Sequence, residues 1–248
     1  MDKLNFTGII PVVSNRLTPM LEELLGRHTP DIHSFHLVGS AVISDYDEKL
    51  SDINSVVVLH EMDLTFIAFL APLGNKYGKK KIAAPLVMTP QYIQDSLDAF
   101  PVEFFDFRLI HKTIYGVDLF KDLRIDKPPL RLQCEREVKT KLIGLRQGYL
   151  SSLGRKENLT AMLLRSFTGS MPLFRAIIFL LGKEPPVARQ EVLKAFGAAT
   201  GTELAIFETL LKLKTGLIKP SEHELRSLFE LYYDALEVIG KMIDELHV

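Results

Sequence analysis

The chain of 248 residues is long enough for one large domain or two modest ones, each able to bury its own core. Hydrophobic residues make up 47% of it and charged residues 25%, the balance of a folded globular protein, which excludes a disordered or fibrous chain. Because 30 Lys and Arg stand against 31 Asp and Glu, no net positive charge attracts the whole molecule to nucleic acid or to an acidic membrane.

Cysteine content and apolar runs indicate the compartment. The single Cys134 cannot form a disulfide within the chain, and no second cysteine is available for a thiolate zinc site. The apolar run Phe174–Leu181 is far shorter than the roughly 20 residues that span a bilayer. We therefore expect a cytoplasmic protein with no signal peptide, no transmembrane helix and no membrane partner.

Helix and strand patterns alternate up to about residue 128. Apolar spacing first predicts a helix near residues 19–25. Strand, strand, helix and strand patterns follow in the order HSFHLVGS, INSVVVLHEM, LTFIAFLAPLGNKYG and KKKIAAPLVMT. This order predicts an α+β domain built on a mixed sheet with short connections.

Two segments complete the first half. TPQYIQDSLDAF begins with Thr89, a typical helix N-cap, and Pro90, which suits the first helical position, so we predict a helix. The aromatic and β-branched segment PVEFFDFRLIHKTIYG is predicted as a strand, a turn and a second strand.

After Pro128 and Pro129 the pattern is helical throughout. We predict one domain over residues 1–128 and an all-α helical bundle over residues 129–248. Its helices are predicted near residues 130–149, 157–181, 186–197, 203–215 and 221–246.

The stretch HLVGSAVISDYDEKLSDINSVVVL, residues 36–59, combines a strand, a Gly-Ser turn, a polar loop and an acidic residue that enters the next strand. Gly39 lets the backbone approach a triphosphate closely, and Ser40 with nearby amides can bind its oxygens. Ser51, just before Asp52, is a further candidate for nucleotide binding. Residues 52 and 54 are two apart on a strand, so their side chains share one face.

This arrangement resembles the signature of the nucleotidyltransferase superfamily, which includes DNA polymerase beta, the aminoglycoside adenylyltransferases and the minimal bacterial nucleotidyltransferases. The signature is Gly-Ser followed about a dozen residues later by Asp, an apolar residue, and Asp or Glu. Gly39-Ser40 and Asp52-Ile53-Asn54 hold those places. The resemblance covers roughly residues 20–125, and the helical half also resembles the second domain of small members of this superfamily.

The resemblance implies a nucleoside triphosphate substrate, Mg²⁺ and transfer of a nucleoside monophosphate to a hydroxyl acceptor, either a small molecule or a protein side chain. It also implies a third carboxylate, a metal ligand or general base from a neighbouring strand. Glu103 resembles the acid of the aminoglycoside adenylyltransferases, and Asp106 resembles that of the polymerases. In a strand these two residues would face opposite sides, and we favour Glu103.

Two departures from the signature weaken the expected site. Asn54 stands where the second carboxylate belongs, so the metal ligands would be Asp52, the Asn54 amide oxygen and Glu103. The segment AVIS after Gly39-Ser40 lacks the basic residues that would support phosphate binding. We therefore predict a degenerate metal site in a weakly active or non-catalytic protein, with an active Mg²⁺-dependent nucleotidyltransferase as the alternative.

Other interpretations stay open at this stage. A non-catalytic member would serve as a binding or partner module, or as a regulatory homo-oligomer. Nucleic-acid polymerisation is disfavoured because no basic stripe is recognisable. Ser40 could simply form a turn, and Asp52 could be a solvent-facing strand residue. The lysines at 76 and 79–81 fit a solvated loop better than a phosphate site.

Overall fold

The computed structural model describes residues 4–248. Helices and strands alternate through the first half, as the sequence predicts. These elements are α1 Pro11–His28, β1 Ile32–Val38, β2 Asn54–Leu59, α2 Leu64–Gly78, β3 Leu86–Met88, α3 Pro90–Asp95, α4 Pro101–Leu109 and β4 His111–Gly116.

The four strands form one mixed sheet in the order β3-β2-β1-β4. β1 pairs antiparallel with β2 and with β4, whereas β3 runs parallel to β2. The mixed sheet expected from the sequence is confirmed. Its β3 is shorter than the predicted strand, with only Leu86–Met88 in regular pairing.

One face of the sheet packs against α1 and α2. The apolar stripe of α1, including Leu17 and Leu24, is fully buried in the same core as Leu37 of β1 and Val57 of β2. Successive strand residues point to alternate faces of the sheet, so Val38, His36 and their neighbours lie on the opposite face. The polar residues of interest for function lie on that opposite face.

The α4 helix corrects a prediction. PVEFFDFRL forms the helix Pro101–Leu109 and not a strand, and only His111–Gly116 pairs as β4. Val102 and Phe105, three residues apart, are both buried, which suits a helix as well as an apolar strand. Pro101 occupies the first helical position, where its missing N–H has no intrahelical partner to lose.

The second half is a bundle of helices, as predicted, with one difference. The predicted helix near residues 157–181 is two helices separated at Gly169 and Ser170, with Pro172 in the first turn of the second. Cys134 is buried in this bundle. The helices are α5 Lys127–Ser152, α6 Lys156–Thr168, α7 Met171–Leu180, α8 Arg189–Thr200, α9 Ala205–Lys214 and α10 Glu222–Asp244.

An aromatic cluster forms the core of the bundle. Phe174 stacks on Phe196 with ring centroids 4.3 Å apart, and Phe207 meets Phe174 edge-on at 5.3 Å. By length and composition alone, the segment Lys156–Leu180 could cross a membrane, but 61% of its apolar window is buried inside the protein. A core helix of a soluble protein passes the same test, so this is weak support for a membrane span.

Contacts divide the chain into two units whose boundaries cross α4. The sheet unit comprises residues up to Leu97 together with Phe104–Arg124. The helical unit comprises Asp98–Glu103 and Ile125–Val248. The first turn of α4 is therefore grouped with the bundle: the Val102 N–H donates to Gln133 Oε1 of α5 at 2.8 Å.

Candidate functional site

The Gly-Ser turn and the acidic loop meet at one edge of the sheet. β1 ends at Val38, whose antiparallel partner is Asn54, the first residue of β2. Gly39 and Ser40 follow Val38 in a short 3₁₀ turn, and Asp52 precedes Asn54 by two residues. The two parts of the sequence motif therefore share this edge.

Asp52 and Asn54 flank Ile53 where the chain enters β2. Both are exposed, whereas Ile53 between them is fully buried. Backbone hydrogen bonds hold Ile53 on the β3 side: its N–H donates to Lys81 O at 2.7 Å, and its carbonyl accepts from Ala83 N at 3.0 Å. Within residues 4–248, neither the Asp52 carboxylate nor the Asn54 amide has a side-chain hydrogen bond or ion pair, so both are available to a ligand.

Gly39 is required by the backbone of the turn. Its φ of +71° lies in the left-handed region that favours glycine. A Cβ placed on Gly39 would lie 3.9 Å from the Asn54 Nδ2, so the amide stands directly beside the turn. The half-buried Ser40 hydroxyl has no hydrogen-bond partner in the described chain. This turn can therefore present a hydroxyl and backbone groups to an oxygen-rich ligand.

Ser51 has a local structural role. Its Oγ accepts the Asp47 N–H at 3.1 Å, and the Ser51 N–H donates to Asp47 O at 2.8 Å, which closes a tight loop. The Lys81 ammonium donates to Lys49 O of the same loop. These bonds fix the segment before Asp52. Nucleotide binding by Ser51 stays a prediction.

Glu103 and Asp106 lie on α4 and not on a strand, which corrects the expected geometry. Three residues apart on a helix, they share a face, whereas on a strand they would oppose each other. Glu103 belongs to the helical unit, where its Oε2 accepts a hydrogen bond from Gln133 Nε2 at 2.7 Å. Asp106 belongs to the sheet unit. Their roles as third carboxylate stay predictions.

The donor set favours one metal ion over two. In the described part of the chain, no group of three or more His, Cys, Asp and Glu side chains lies close enough to hold a metal. Mg²⁺ is often bound through one or two carboxylates plus substrate phosphates. Asp52 and the Asn54 amide oxygen fit one Mg²⁺ that arrives with a triphosphate. A pair of Mg²⁺ ions does not fit, since a single carboxylate cannot offset their mutual repulsion.

Strand register places His111 in the same region. Asn54, Val38 and His111 are neighbours across β2, β1 and β4, and we call them the edge row. The His111 Nδ1 lies 2.6 Å from Phe107 O, and its Nε2 lies 2.9 Å from Asp118. The Phe107 carbonyl can only accept, so the ring donates to it from Nδ1. Burial raises the pKa of Asp118, but the hydrogen bond and the Coulombic interaction with His111 outweigh this effect. The pKa of Asp118 is therefore lower than its ordinary value.

The next row inward contains Val56, His36 and Thr113, which we call the inner row. His36 is fully buried, with its Nε2 2.8 Å from Ser34 Oγ and its Nδ1 3.0 Å from Thr113 Oγ1. Burial lowers the pKa of His36 to about 4. Its ring is therefore neutral near pH 7 and fully hydrogen-bonded, which identifies a structural group.

A solved structure shares this architecture. The chain is similar to spectinomycin adenyltransferase AAD(9) from Enterococcus faecialis, determined with ATP and spectinomycin, with a TM-score of 0.53 and 14% identity. The match covers 91% of this chain and 98% of that one. The chain has a nucleotidyltransferase fold. The fold and the resemblance predicted from the sequence are confirmed, and at this identity the likeness establishes the fold alone.

In the sequence comparisons, no protein-family model and no curated protein matches the chain. The motif found in the sequence does not include His111. Only the β1–β4 register places it in the edge row, and no spacing in the sequence signals that position.

Proposed function

We propose that this protein binds a nucleoside triphosphate at the Gly39-Ser40 edge and has a degenerate metal site, so that it transfers nucleoside monophosphate weakly or not at all. The observation that carries the proposal is Asn54, which is separated from Asp52 only by Ile53 and stands beside Gly39, where the superfamily signature has a carboxylate. Replacing a carboxylate by an amide removes one negative charge from the centre of the site.

That charge decides how many cations the site can hold. Two divalent cations about 4 Å apart repel strongly, and carboxylates between them reduce this repulsion. Asp52 is the one carboxylate between Ser51 and His60. A single Mg²⁺ would add Lewis-acid polarisation of the phosphates when bound. Gly39 and Ser40 would contact triphosphate oxygens through backbone groups and a hydroxyl, without help from lysine or arginine in the AVIS segment.

The alternative is an active Mg²⁺-dependent nucleotidyltransferase. The free, exposed Asp52 supports it, as does the fold shared with a structure that holds ATP and a small-molecule acceptor. In such a reaction an acceptor oxygen bonds to the α-phosphorus, the bond to pyrophosphate breaks, and the acceptor proton passes to a base. Glu103 and Asp106 are the candidates for that base. The acceptor would be a small-molecule or protein hydroxyl.

The test is calorimetric titration of the wild type and Asn54→Asp with ATP, GTP, CTP and UTP, each with and without Mg²⁺. We expect the variant to bind its preferred triphosphate at least about tenfold more tightly when Mg²⁺ is present, a gain of about 1.4 kcal/mol. Without Mg²⁺ the added charge should weaken binding, because carboxylate and phosphate repel.

Asn75→Asp is the matched control, since Asn75 is an exposed residue of α2 on the other side of the sheet. It makes the same chemical change away from the site and should leave binding unchanged. Equal and strongly Mg²⁺-dependent binding by wild type and Asn54→Asp, with transfer of nucleoside monophosphate, would refute the degenerate site in favour of the active enzyme.

A further inference from the structure

The loop of residues 78–81, which follows α2, adjoins the Asp52–Asn54 segment on the β3 side. Ile53 and Ile82 form a parallel bridge, in which the Ile53 N–H donates to Lys81 O at 2.7 Å. Asp52 and Lys81 precede these two residues, so they lie side by side at the strand spacing of about 5 Å. The sequence alone assigns Lys81 to a solvated loop, because no local pattern links it to Asp52.

The Lys81 ammonium lies beside the loop that leads to Asp52. It donates to Lys49 O, three residues before Asp52, and a chain of that length spans at most about 11 Å. A lysine ammonium has three N–H donors. Lys49 O is the one hydrogen-bond partner of this ammonium among residues 4–248, so two donors remain for a ligand.

The backbone of Lys81 has an unfavourable conformation. Its φ is +60°, in the left-handed region where glycine and asparagine are favoured and a longer side chain is strained. Strain of this kind is concentrated at functional sites, where a side chain is needed for a purpose other than folding. A lysine at this position therefore indicates a role for its charge.

The loop that Lys81 contacts is mainly acidic. Residues 44–51 contain three carboxylates and one lysine. Asp47 accepts two backbone N–H groups of the loop itself, and Glu48 forms an ion pair with Arg16 at 3.4 Å. None of these carboxylates forms an ion pair with Lys81 in the described chain. Without the Lys81 ammonium, this side of the site would repel a triphosphate.

We propose that the Lys81 ammonium binds phosphate oxygens of the nucleoside triphosphate, on the side of Asp52 away from Gly39. This inference rests on the proposed function and adds a binding residue to it. Val38, the residue before Gly39, pairs with Asn54 on the β1 side, whereas Lys81 adjoins Asp52 on the β3 side. The triphosphate and its Mg²⁺ then lie between the Gly-Ser turn and the ammonium.

An ammonium suits a site that holds one Mg²⁺ and not two. At equal distance it repels Mg²⁺ about half as strongly as a second Mg²⁺ does, because it carries one charge instead of two. It also needs no bridging carboxylate, so it is compatible with the amide of Asn54. Lys81 thus supplies the positive charge that the AVIS segment lacks.

Calorimetric titration with the triphosphate that the wild type prefers, with and without Mg²⁺, tests this contact. Lys81→Asn removes the ammonium and introduces a residue that tolerates the left-handed conformation, so the variant should fold, which urea unfolding checks. It should bind triphosphate about tenfold less tightly, because a hydrogen bond to a charged group is lost. The loss should be present with and without Mg²⁺, whereas the gain in Asn54→Asp requires the metal.

Two further variants separate the contact from general effects of charge. Lys79→Asn removes the same charge at an exposed position of the same loop and should change the affinity less than about twofold. Lys81→Arg keeps the charge and should stay within about threefold of the wild type, because a guanidinium also donates to phosphate oxygens. Raising the salt from about 0.05 to about 0.5 M should reduce the loss in Lys81→Asn.

The outcomes distinguish this inference from the proposed function. A wild type that binds no triphosphate would overturn both. Wild-type binding that Lys81→Asn retains in full would overturn the inference alone, as would an equal loss in Lys79→Asn. A loss in Lys81→Asn that is the same at both salt concentrations would show that Lys81 only holds the loop before Asp52, and would overturn the direct contact.

Discussion

The Asp52–Asn54 segment and the inner row of the sheet use polar residues in opposite ways. In the inner row, both nitrogens of the buried His36 are hydrogen-bonded, to Ser34 and Thr113. At the edge, Asp52 and Asn54 are exposed, and no side-chain partner for either lies among residues 4–248. Asn54 is only two residues from Val56 of the inner row along β2. Proximity in the sequence therefore does not distinguish a structural polar group from a candidate ligand.

The two sets of polar residues differ in burial and in hydrogen bonding within the chain. A buried polar group without a hydrogen bond costs about 1 to 3 kcal/mol, so a folded chain pairs such groups within itself. An exposed group has water as its partner and loses little when left free. The inner row should therefore carry stability, and the edge should carry binding.

The largest expected difference in stability is between alanine substitutions at Gly116 and at Gly39. Both have positive φ, +75° and +71°, but a Cβ on Gly116 would lie 2.1 Å from His33 O, whereas one on Gly39 meets only the Asn54 amide at 3.9 Å. Gly116→Ala should cost about 3 to 4 kcal/mol through strain and clash, and Gly39→Ala about 1 kcal/mol through strain alone. Urea unfolding at pH 7 measures both.

Gly8→Ala is the control for backbone strain, because Gly8 has a φ of +85° and nothing within 4 Å of an added Cβ. It should lose about as much as Gly39→Ala, on the order of 1 kcal/mol. If Gly116→Ala lost no more than these two, the packing of β4 against β1 at this point would be looser than the structure indicates.

The lowered pKa of His36, in the inner row, predicts that the protein loses stability at low pH. Burial lowers its pKa from 6.5 to about 4, so the unfolded chain takes up a proton at higher pH than the folded protein does. Above about pH 7 both states are neutral and the group contributes nothing. As the pH falls from 6.5 towards 4, stability is lost, by about 2 kcal/mol at pH 5.

Unfolding of the wild type and His36→Gln at pH 7 and pH 5 isolates this contribution. The variant is less stable at both pH values. The quantity to compare is therefore the stability that each protein loses between pH 7 and pH 5, and not its absolute stability. All other titrating groups act equally in both proteins. Equal losses would mean that His36 is solvated in the folded state and that its pKa is not lowered.

Asp52 should show the reverse behaviour at the edge. Because it is exposed and makes no side-chain contact in the described chain, Asp52→Ala should change the free energy of unfolding by less than about 0.5 kcal/mol. The Mg²⁺-dependent affinity of this variant for triphosphate should nevertheless fall about tenfold or more, since no carboxylate then remains beside Asn54. Asp122→Ala, at an exposed aspartate of the sheet unit, should change neither quantity. A large loss of stability in Asp52→Ala would place it with the structural residues.

Local sequence signals were sufficient for the turn and the helix starts. Gly39 was predicted in a turn, and the structure has it there with positive φ. Thr89 caps α3 by accepting the Tyr92 N–H, as predicted. The sheet edge could be predicted because Val38 and Asn54 end and begin strands that are consecutive in the chain. Asp52 and Asn54 were expected on one face, and they are exposed on either side of the buried Ile53.

Two predictions failed where local patterns fit two structures. PVEFFDFRL has apolar residues at spacings that suit both a strand and a helix, and the deciding signal was Pro101 at the helix start, which the strand interpretation did not use. The break between α6 and α7 was signalled by Gly169-Ser170 followed by Pro172, within an otherwise continuous apolar pattern. His36 and Thr113 meet across 77 positions, which no local pattern encodes.

The grouping of Asp98–Glu103 with the bundle has a consequence for the order in which the chain matures during synthesis. When residue 124 has left the ribosome, all four strands are present and the sheet can close. The Val102 N–H must still wait for Gln133, which is made later as part of α5. The first turn of α4 therefore gains this native hydrogen bond only after α5 has been made.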